Sequence, residues 1–253
     1  MITRVVTLHT FGWDGEQPGK SFDLVMNLRG HGPILFILFI FAVTKCSTQA
    51  NLAFVVDTSG SISNENFRKQ KDFVKALASA FDPSATKHQL GLITYSTNAQ
   101  IEFSFKDSAD LVKFKNVVDR MTHKKGRTRL DKALKLASSQ LFTDNGEVNS
   151  GKQKTMVILT DGRQSQDPGY VRLKDAVRPL KQQGVRIYVV AVSSELDLKE
   201  LYELTEKEED VFTVIDFDDL AKMANDTAQK ICHVSSSLQG IDNDIENDNS
   251  TLS

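Results

Sequence analysis

Cysteine is almost absent from this chain: Cys46 and Cys232 are the only two among 253 residues. A framework of several disulfides is thereby excluded, and so is a metal site built from clustered thiolates. Aromatic residues make up 8%, with a single Trp, and none of Trp13, Tyr95 and Tyr170 stands in an array on which bases could stack. The 31 basic and 33 acidic residues nearly cancel, leaving a formal charge of −2. Proteins that bind nucleic acid are usually basic overall or over one face, so no nucleic-acid partner is expected. There is no internal repeat, no collagenous segment and no heptad stretch that would drive assembly.

Long apolar runs are also scarce. The one strong run, 34–43, would span about 15 Å as a helix against a bilayer core of about 30 Å, so no transmembrane segment is expected. Preceded by Met26, Arg29 and His31 and followed by small residues, it reads as the apolar part of a secretory signal peptide over 26–44. Residues 1–25 are then an upstream extension ahead of a start at Met26, and cleavage falls within 44–50. A cut after Thr44 keeps Cys46, whereas a cut after Ala50 removes it; the first is preferred. At the other end, 234–253 is a polar acidic tail with Asp242, Asp244, Glu246 and Asp248 and no aromatic residue. The composition, 40% hydrophobic and 25% charged, suits one sizeable core, placed in 51–233.

Within that span, apolar strands alternate with amphipathic helices. Strands are expected over 52–56, 90–95, 101–105, 156–160, 185–192 and 211–215. Helices are expected from a Ser63 cap to about Asp82, and over 109–118, 130–141, 171–183, 198–204 and 217–231, with Pro179 kinking or breaking the fourth. The short connection Ser96-Thr97-Asn98 makes 101–105 an antiparallel edge strand. The expected fold class is α/β: a Rossmann-like, doubly wound, mostly parallel central sheet with one antiparallel edge strand and helices on both faces.

The chemistry concentrates at strand ends. Asp57-Thr58-Ser59-Gly60-Ser61 follows the apolar strand Leu52-Ala53-Phe54-Val55-Val56 and reads D-x-S-x-S. A carboxylate and two hydroxyls at alternate positions of a turn offer hard oxygen ligands to a small divalent cation. Thr128, in Gly126-Arg127-Thr128-Arg129-Leu130, adds a hydroxyl at a loop-to-helix junction, and Asp161 ends the second apolar strand, Met156-Val157-Ile158-Leu159-Thr160. If the strands are parallel neighbours, these groups meet in the crevice where open α/β sheets bind ligands. Asp and Ser also satisfy turns without any metal, so D-x-S-x-S alone is a weak signal; the full set in this placement is specific.

These five positions, Asp57, Ser59, Ser61, Thr128 and Asp161, resemble the metal-ion-dependent adhesion site of the von Willebrand factor type A family, in order and spacing from about Asn51 to Cys232. The matrix members, matrilins and the A domains of type VI collagen, are the most similar, partly through Val211-Phe212-Thr213-Val214 and Asp216-Phe217-Asp218-Asp219-Leu220. The resemblance implies Mg²⁺, or Mn²⁺ or Ca²⁺, held by these five residues, with a further coordination position taken by an acidic residue of an extracellular partner such as a collagen-like or other matrix protein. It implies a secreted adhesion module, or alternatively a scaffolding domain whose metal only stabilises loops. Because type A domains bring their termini together, Cys46 and Cys232 would form one bridge, with a chain-entropy contribution of roughly 5 kcal/mol.

Other features fit around this reading. Lys124, Lys125, Arg127, Arg129 and Arg163 crowd the expected rim, either as a solvated loop or as a surface for an anionic partner, including glycosaminoglycan. His88, His123 and His233 have no partner at metal-ligand spacing and are expected on the surface or in loops. Asn225 and Asn249 each begin an N-x-S/T triplet, Asn249 being the better glycosylation acceptor because Asn225 falls on an expected helix. Gly60 stands alone where dinucleotide binding needs G-x-G-x-x-G, and Ser59 stands where a phosphatase with an aspartate nucleophile needs a second carboxylate, so no enzyme activity is expected. The secreted protein should begin at Lys45 and show no reactive thiol when denatured without reductant; one thiol per chain in a titration would mean that the bridge does not form.

Overall fold

The computed structural model describes residues 49–81, 88–107, 110–143, 152–162, 164–192 and 197–232, with the backbone of 5–8 and 22–25. The apolar run 34–43, the cleavage region up to Thr48, and the tail from His233 lie outside them. The chain divides into two compact units, 1–44 and 45–253. In the first, β1 (Val5–Leu8) pairs antiparallel with β2 (Phe22–Val25), inside the stretch read from sequence as an extension.

The second unit is built on a six-stranded sheet. Its strands are β3 (Ala50–Asp57), β4 (His88–Tyr95), β5 (Ala99–Phe103), β6 (Gln153–Thr160), β7 (Val185–Val192) and β8 (Val211–Val214). They lie side by side in the order β5-β4-β3-β6-β7-β8, all parallel except β5, which runs antiparallel to β4. The chain first winds outward from β3 through β4 to β5, then returns to the other side of β3 and winds through β6 and β7 to β8. The direction of winding therefore reverses between β3 and β6, and the crevice at their carboxyl ends is where Asp57 and the residue after Thr160 emerge.

The strands read as continuous apolar runs because both faces of the sheet are covered. Leu52, Phe54, Val56, Leu92, Val157, Leu159 and Val190 pack under α1 (Asn64–Ser79), α2 (Leu111–Arg120) and a final helix, α6, over 220–232. Ala53, Val55, Ile93, Ile158, Val189 and Ala191 face α3 (Leu130–Leu136), α4 (Leu173–Gln182) and α5 (Leu198–Tyr202). Ser63 caps α1 as expected, its side chain accepting the Asn66 N–H, and Asp110 caps α2. Among the described residues no helix is long and apolar enough to cross a membrane.

Three local expectations are corrected. The helix over 130–141 is α3 followed by a π-helical turn, Ala137–Leu141, closed by Phe142 N–H donating to the Ala137 carbonyl at 2.9 Å. The wider turn carries Phe142 into the core against Phe105 (ring centroids 5.3 Å apart), and Gln183 satisfies the Ser138 carbonyl at 2.9 Å. Pro179 does not break α4, which runs on to Gln182; it sits in the last turns, where the one bond it forgoes is the link back to Asp175. His88 is not a surface residue: it is fully buried at the start of β4, edge-on to Phe81 with centroids 5.1 Å apart.

Phe114 of α2 is the best test of the packing on the α1 side, since it is fully buried against Phe54 and Phe103, at centroid distances of 5.6 and 5.4 Å. Phe114→Ala should cost about 3–5 kcal/mol. Calorimetry should then show a melting midpoint lower by roughly 10 °C.

Candidate metal centre

Asp57 closes β3 and is fully buried, so its carboxylate has left water. One oxygen, Oδ1, accepts the Ser59 N–H at 2.7 Å, which bends the chain out of the strand and turns Ser59 and Ser61 to the same side; their hydroxyls are 2.9 Å apart. The other oxygen, Oδ2, is buried with no protein partner. Asp161 follows the last residue of β6, the strand beside β3, and its Oδ1 is likewise buried and unpartnered. Burial first, and then the negative charge of Asp161, push the Asp57 carboxyl up to about 7. Two acids placed this way oppose each other and are opposed by the medium, unless a cation joins them.

The surrounding loops are stitched together by backbone. Thr58 donates its N–H and its hydroxyl to the Tyr95 carbonyl, at 2.8 and 2.9 Å. Gly60 N–H donates to the Gly126 carbonyl at 2.9 Å. Gly126 has φ 93°, and a Cβ there would lie 2.6 Å from Thr97 Oγ1, so only glycine fits the turn. Before it, Lys125 is held at φ 56°, a left-handed conformation that costs a side-chain-bearing residue on the order of 1 kcal/mol. Thr128 is buried, its N–H donating to Ser165 Oγ at 3.1 Å and its carbonyl accepting Ser165 N–H at 2.9 Å. Arg129 N–H reaches the Ser96 carbonyl at 3.1 Å, and Leu130 N–H reaches Gln164 Oε1 at 2.9 Å. The structure thus brings the loops that carry Asp57, Ser59, Ser61, Thr128 and Asp161 to one end of the sheet.

Two carboxylates and three hydroxyls make an all-oxygen donor set, which suits a hard divalent cation. Among the described residues, no cluster of three or more His, Cys, Asp and Glu side chains is placed to hold a metal, so any ion at this end of the sheet would depend on the hydroxyls. Nucleophilic chemistry is not what the geometry supports: His123 Nε2 lies 3.0 Å from the Ser59 carbonyl oxygen, and Ser59 Oγ instead faces Ser61 Oγ.

The basic rim is smaller than the sequence implied. Arg129 is buried, and its guanidinium is bidentate on Asp131 (2.8 Å twice) with a further bond to the Gly169 carbonyl at 2.9 Å, so it braces the 164–171 loop and is no surface cation. Arg127 is paired with Asp167. Lys124 Nζ is shared by Gln100 Oε1 (2.9 Å), Thr94 Oγ1 (3.1 Å) and Glu102 Oε1 (3.3 Å). Lys125 is exposed, and Arg163 lies outside the described residues. Cys232, at the end of α6, packs half-buried on the core, while Cys46 lies outside the described residues. Asn225 is exposed on α6, but Thr227, which its triplet requires, is fully buried; Asn249 lies outside the described residues.

Sequence reasoning missed four participants. Tyr95 is fully buried, with its hydroxyl 3.4 Å from the Leu159 carbonyl; burial and then the charge of Asp57 hold its pKa well above the ordinary value. Ser165 holds Thr128 in place, Gln164 holds Leu130 at the start of α3, and His123 touches the D-x-S-x-S loop. The spacing Thr160-Asp161-Gly162 pointed to the strand end but not to the brace three residues later.

The family model for the von Willebrand factor type A domain matches residues 51–226. The collagen alpha-6(VI) chain of Mus musculus is 32% identical over 84% of this chain and 9% of its own length. Human matrilin-1 is 29% identical over 74% of this chain and 37% of its own length. This chain therefore spans well under half of either relative. Among solved structures, proximal thread matrix protein 1 of the mussel byssus, with a zinc-occupied metal-ion-dependent adhesion motif, superposes with a TM-score of 0.68 at 23% identity, over 74% of this chain and 49% of that one.

The raised Asp57 carboxyl makes metal-free stability depend on pH. Its folded pKa of about 7 lies above the unfolded value near 3.8, so the folded state holds the proton more tightly. The stability it carries is complete below about pH 4 and is lost as pH rises towards 7, by on the order of 4 kcal/mol. A cation replaces the proton, so Mg²⁺ should raise the melting temperature clearly at pH 8 and hardly at pH 5. A Mg²⁺ shift of equal size at both pH values would contradict this.

Proposed function

The chain belongs to the von Willebrand factor type A domain family, and from that premise we propose that it is a secreted, non-enzymatic binding module working through a divalent cation held by Asp57, Ser59, Ser61, Thr128 and Asp161. The observation that carries this reading is the pair of buried, unpartnered oxygens, Asp57 Oδ2 and Asp161 Oδ1, at the ends of adjacent strands. A bound ion supplies Lewis acidity for an incoming carboxylate. The chain's own residues do the rest: the Ser59 N–H fixes the rotation of Asp57, the Ser59 and Ser61 hydroxyls present lone pairs, and Thr128 is set by its braces to Ser165. Two carboxylates neutralise a divalent ion while leaving part of its shell hydrated, so an acidic side chain of a partner can displace water at little electrostatic cost.

Relatives named as collagen VI and matrilin are matrix proteins, and a collagen-like or other matrix protein is the partner class proposed here. Mg²⁺ is the proposed ion, with Mn²⁺ or Ca²⁺ as substitutes; the zinc of the mussel protein indicates that this kind of site tolerates a borderline metal too. A Cys46–Cys232 bridge, and a glycan on Asn249 in preference to Asn225, belong to the same extracellular reading. Glycosaminoglycan binding loses ground because Lys124 and Arg127 are ion-paired and Arg129 is buried.

The test is retention on immobilised matrix extract. Wild type should bind with Mg²⁺ and be released by chelator, and Asp57→Ala should bind at least about tenfold more weakly than wild type with Mg²⁺ present and no better than chelated wild type. Binding that survives chelator but falls steeply with salt would instead favour glycosaminoglycan. Lost thermal stability with unchanged retention in Asp57→Ala would favour a purely structural site.

A further inference from the structure

We propose that His123 is a positioning residue that holds the D-x-S-x-S loop in its metal-binding shape, an inference that rests on the metal reading above. The argument turns on a single peptide unit, the one joining Ser59 to Gly60. Its carbonyl oxygen faces His123 Nε2 at 3.0 Å, and its N–H donates to the Gly126 carbonyl at 2.9 Å. The peptide group is planar, so gripping the oxygen on one edge and the nitrogen on the other fixes the plane's rotation. That rotation sets ψ of Ser59 and φ of Gly60, and with them how Ser59 Oγ and, one residue on, Ser61 Oγ are presented on the same side of the turn. Both grips come from one short segment, 123–126, which achieves its turn through the left-handed residues Lys125 (φ 56°) and Gly126 (φ 93°).

The imidazole is itself held on its other sides. It stacks on Phe67 of α1, with centroids 5.0 Å apart and planes 20° from parallel, and Phe67 is buried. Its Nδ1 lies 2.8 Å from Oδ1 of Asn64, the first residue of α1. A carbonyl can only accept, so Nε2 carries the hydrogen on the Ser59 side. His123 thus ties the start of α1, the beginning of the α2–α3 connection and the D-x-S-x-S loop together, through Asn64, Phe67 and the Ser59 carbonyl. Hydroxyl ligands bind cations weakly and gain most from being set in place beforehand, and loss of a residue that orients metal ligands typically weakens metal affinity 10–100-fold.

The test uses Mn²⁺ as probe, its free concentration read by electron paramagnetic resonance, with the full chain as wild type, His123→Ala, His123→Gln and Asp57→Ala. His123→Ala should weaken Mn²⁺ binding about tenfold or more, and His123→Gln, which keeps an N–H donor, should recover most of it. In metal-free protein, hydrogen exchange at the Gly60 amide should be faster in His123→Ala than in wild type, a readout independent of any bound ion. Mn²⁺ affinity within about twofold of wild type in His123→Ala, or unchanged Gly60 exchange, would overturn the inference while leaving the metal reading intact. Wild-type protein that binds no more Mn²⁺ than Asp57→Ala would overturn both.

Discussion

The structure depends on an electrostatic conflict: two carboxylates, Asp57 and Asp161, are placed at the ends of neighbouring parallel strands, each with an oxygen that is buried and bonded to nothing in the protein. Such an arrangement is costly in a dry interior, and it is the feature on which the proposed cation site rests. The reversal of winding between β3 and β6 makes the crevice, and the burial of β3 along its whole length removes Asp57 from water. The same sheet that stabilises the domain therefore creates the strain at its edge. The hydrophobic layers on both faces supply the rigidity that keeps the two acids from drifting apart.

A site that relies on hydroxyls as well as carboxylates needs its loops held, and most of that holding is done by backbone. Thr58 is fixed to Tyr95, Gly60 to Gly126, Thr128 to Ser165 and Arg129 to Ser96, so each segment around the centre is tied to at least one other. The charged residues nearby serve the same purpose. Arg129 and Asp131 form a buried bidentate pair that carries Gly169 and Val171 with it, and breaking such a pair from one side leaves an uncompensated charge in the interior. What looked like a surface for anions is largely internal bracing.

The layered fold was legible because its signals are local and repeated: continuous apolar strands, helical spacing, the Ser63 cap, and a short connection forcing one antiparallel strand. The five oxygen-bearing residues were legible because each sits at a strand end or a loop-to-helix junction with a recognisable neighbourhood. The role of His123 was not, since a lone histidine in a basic stretch reveals nothing about a phenylalanine 56 positions earlier on another element. Arg129 misled for a related reason: charge in a sequence does not say whether an acid two residues later will fold back to meet it. Pro179 misled because its cost depends on how much helix follows, and only three residues of α4 do.

The sheet's outer margins bear on how the domain meets other polypeptides. β5 has five residues and β8 only four, and the outward side of β5 carries Gln100 and Glu102, drawn to Lys124. Short, charged borders are poor templates for docking another chain's backbone in register. Lateral growth of the sheet by strand addition from another molecule is thereby disfavoured.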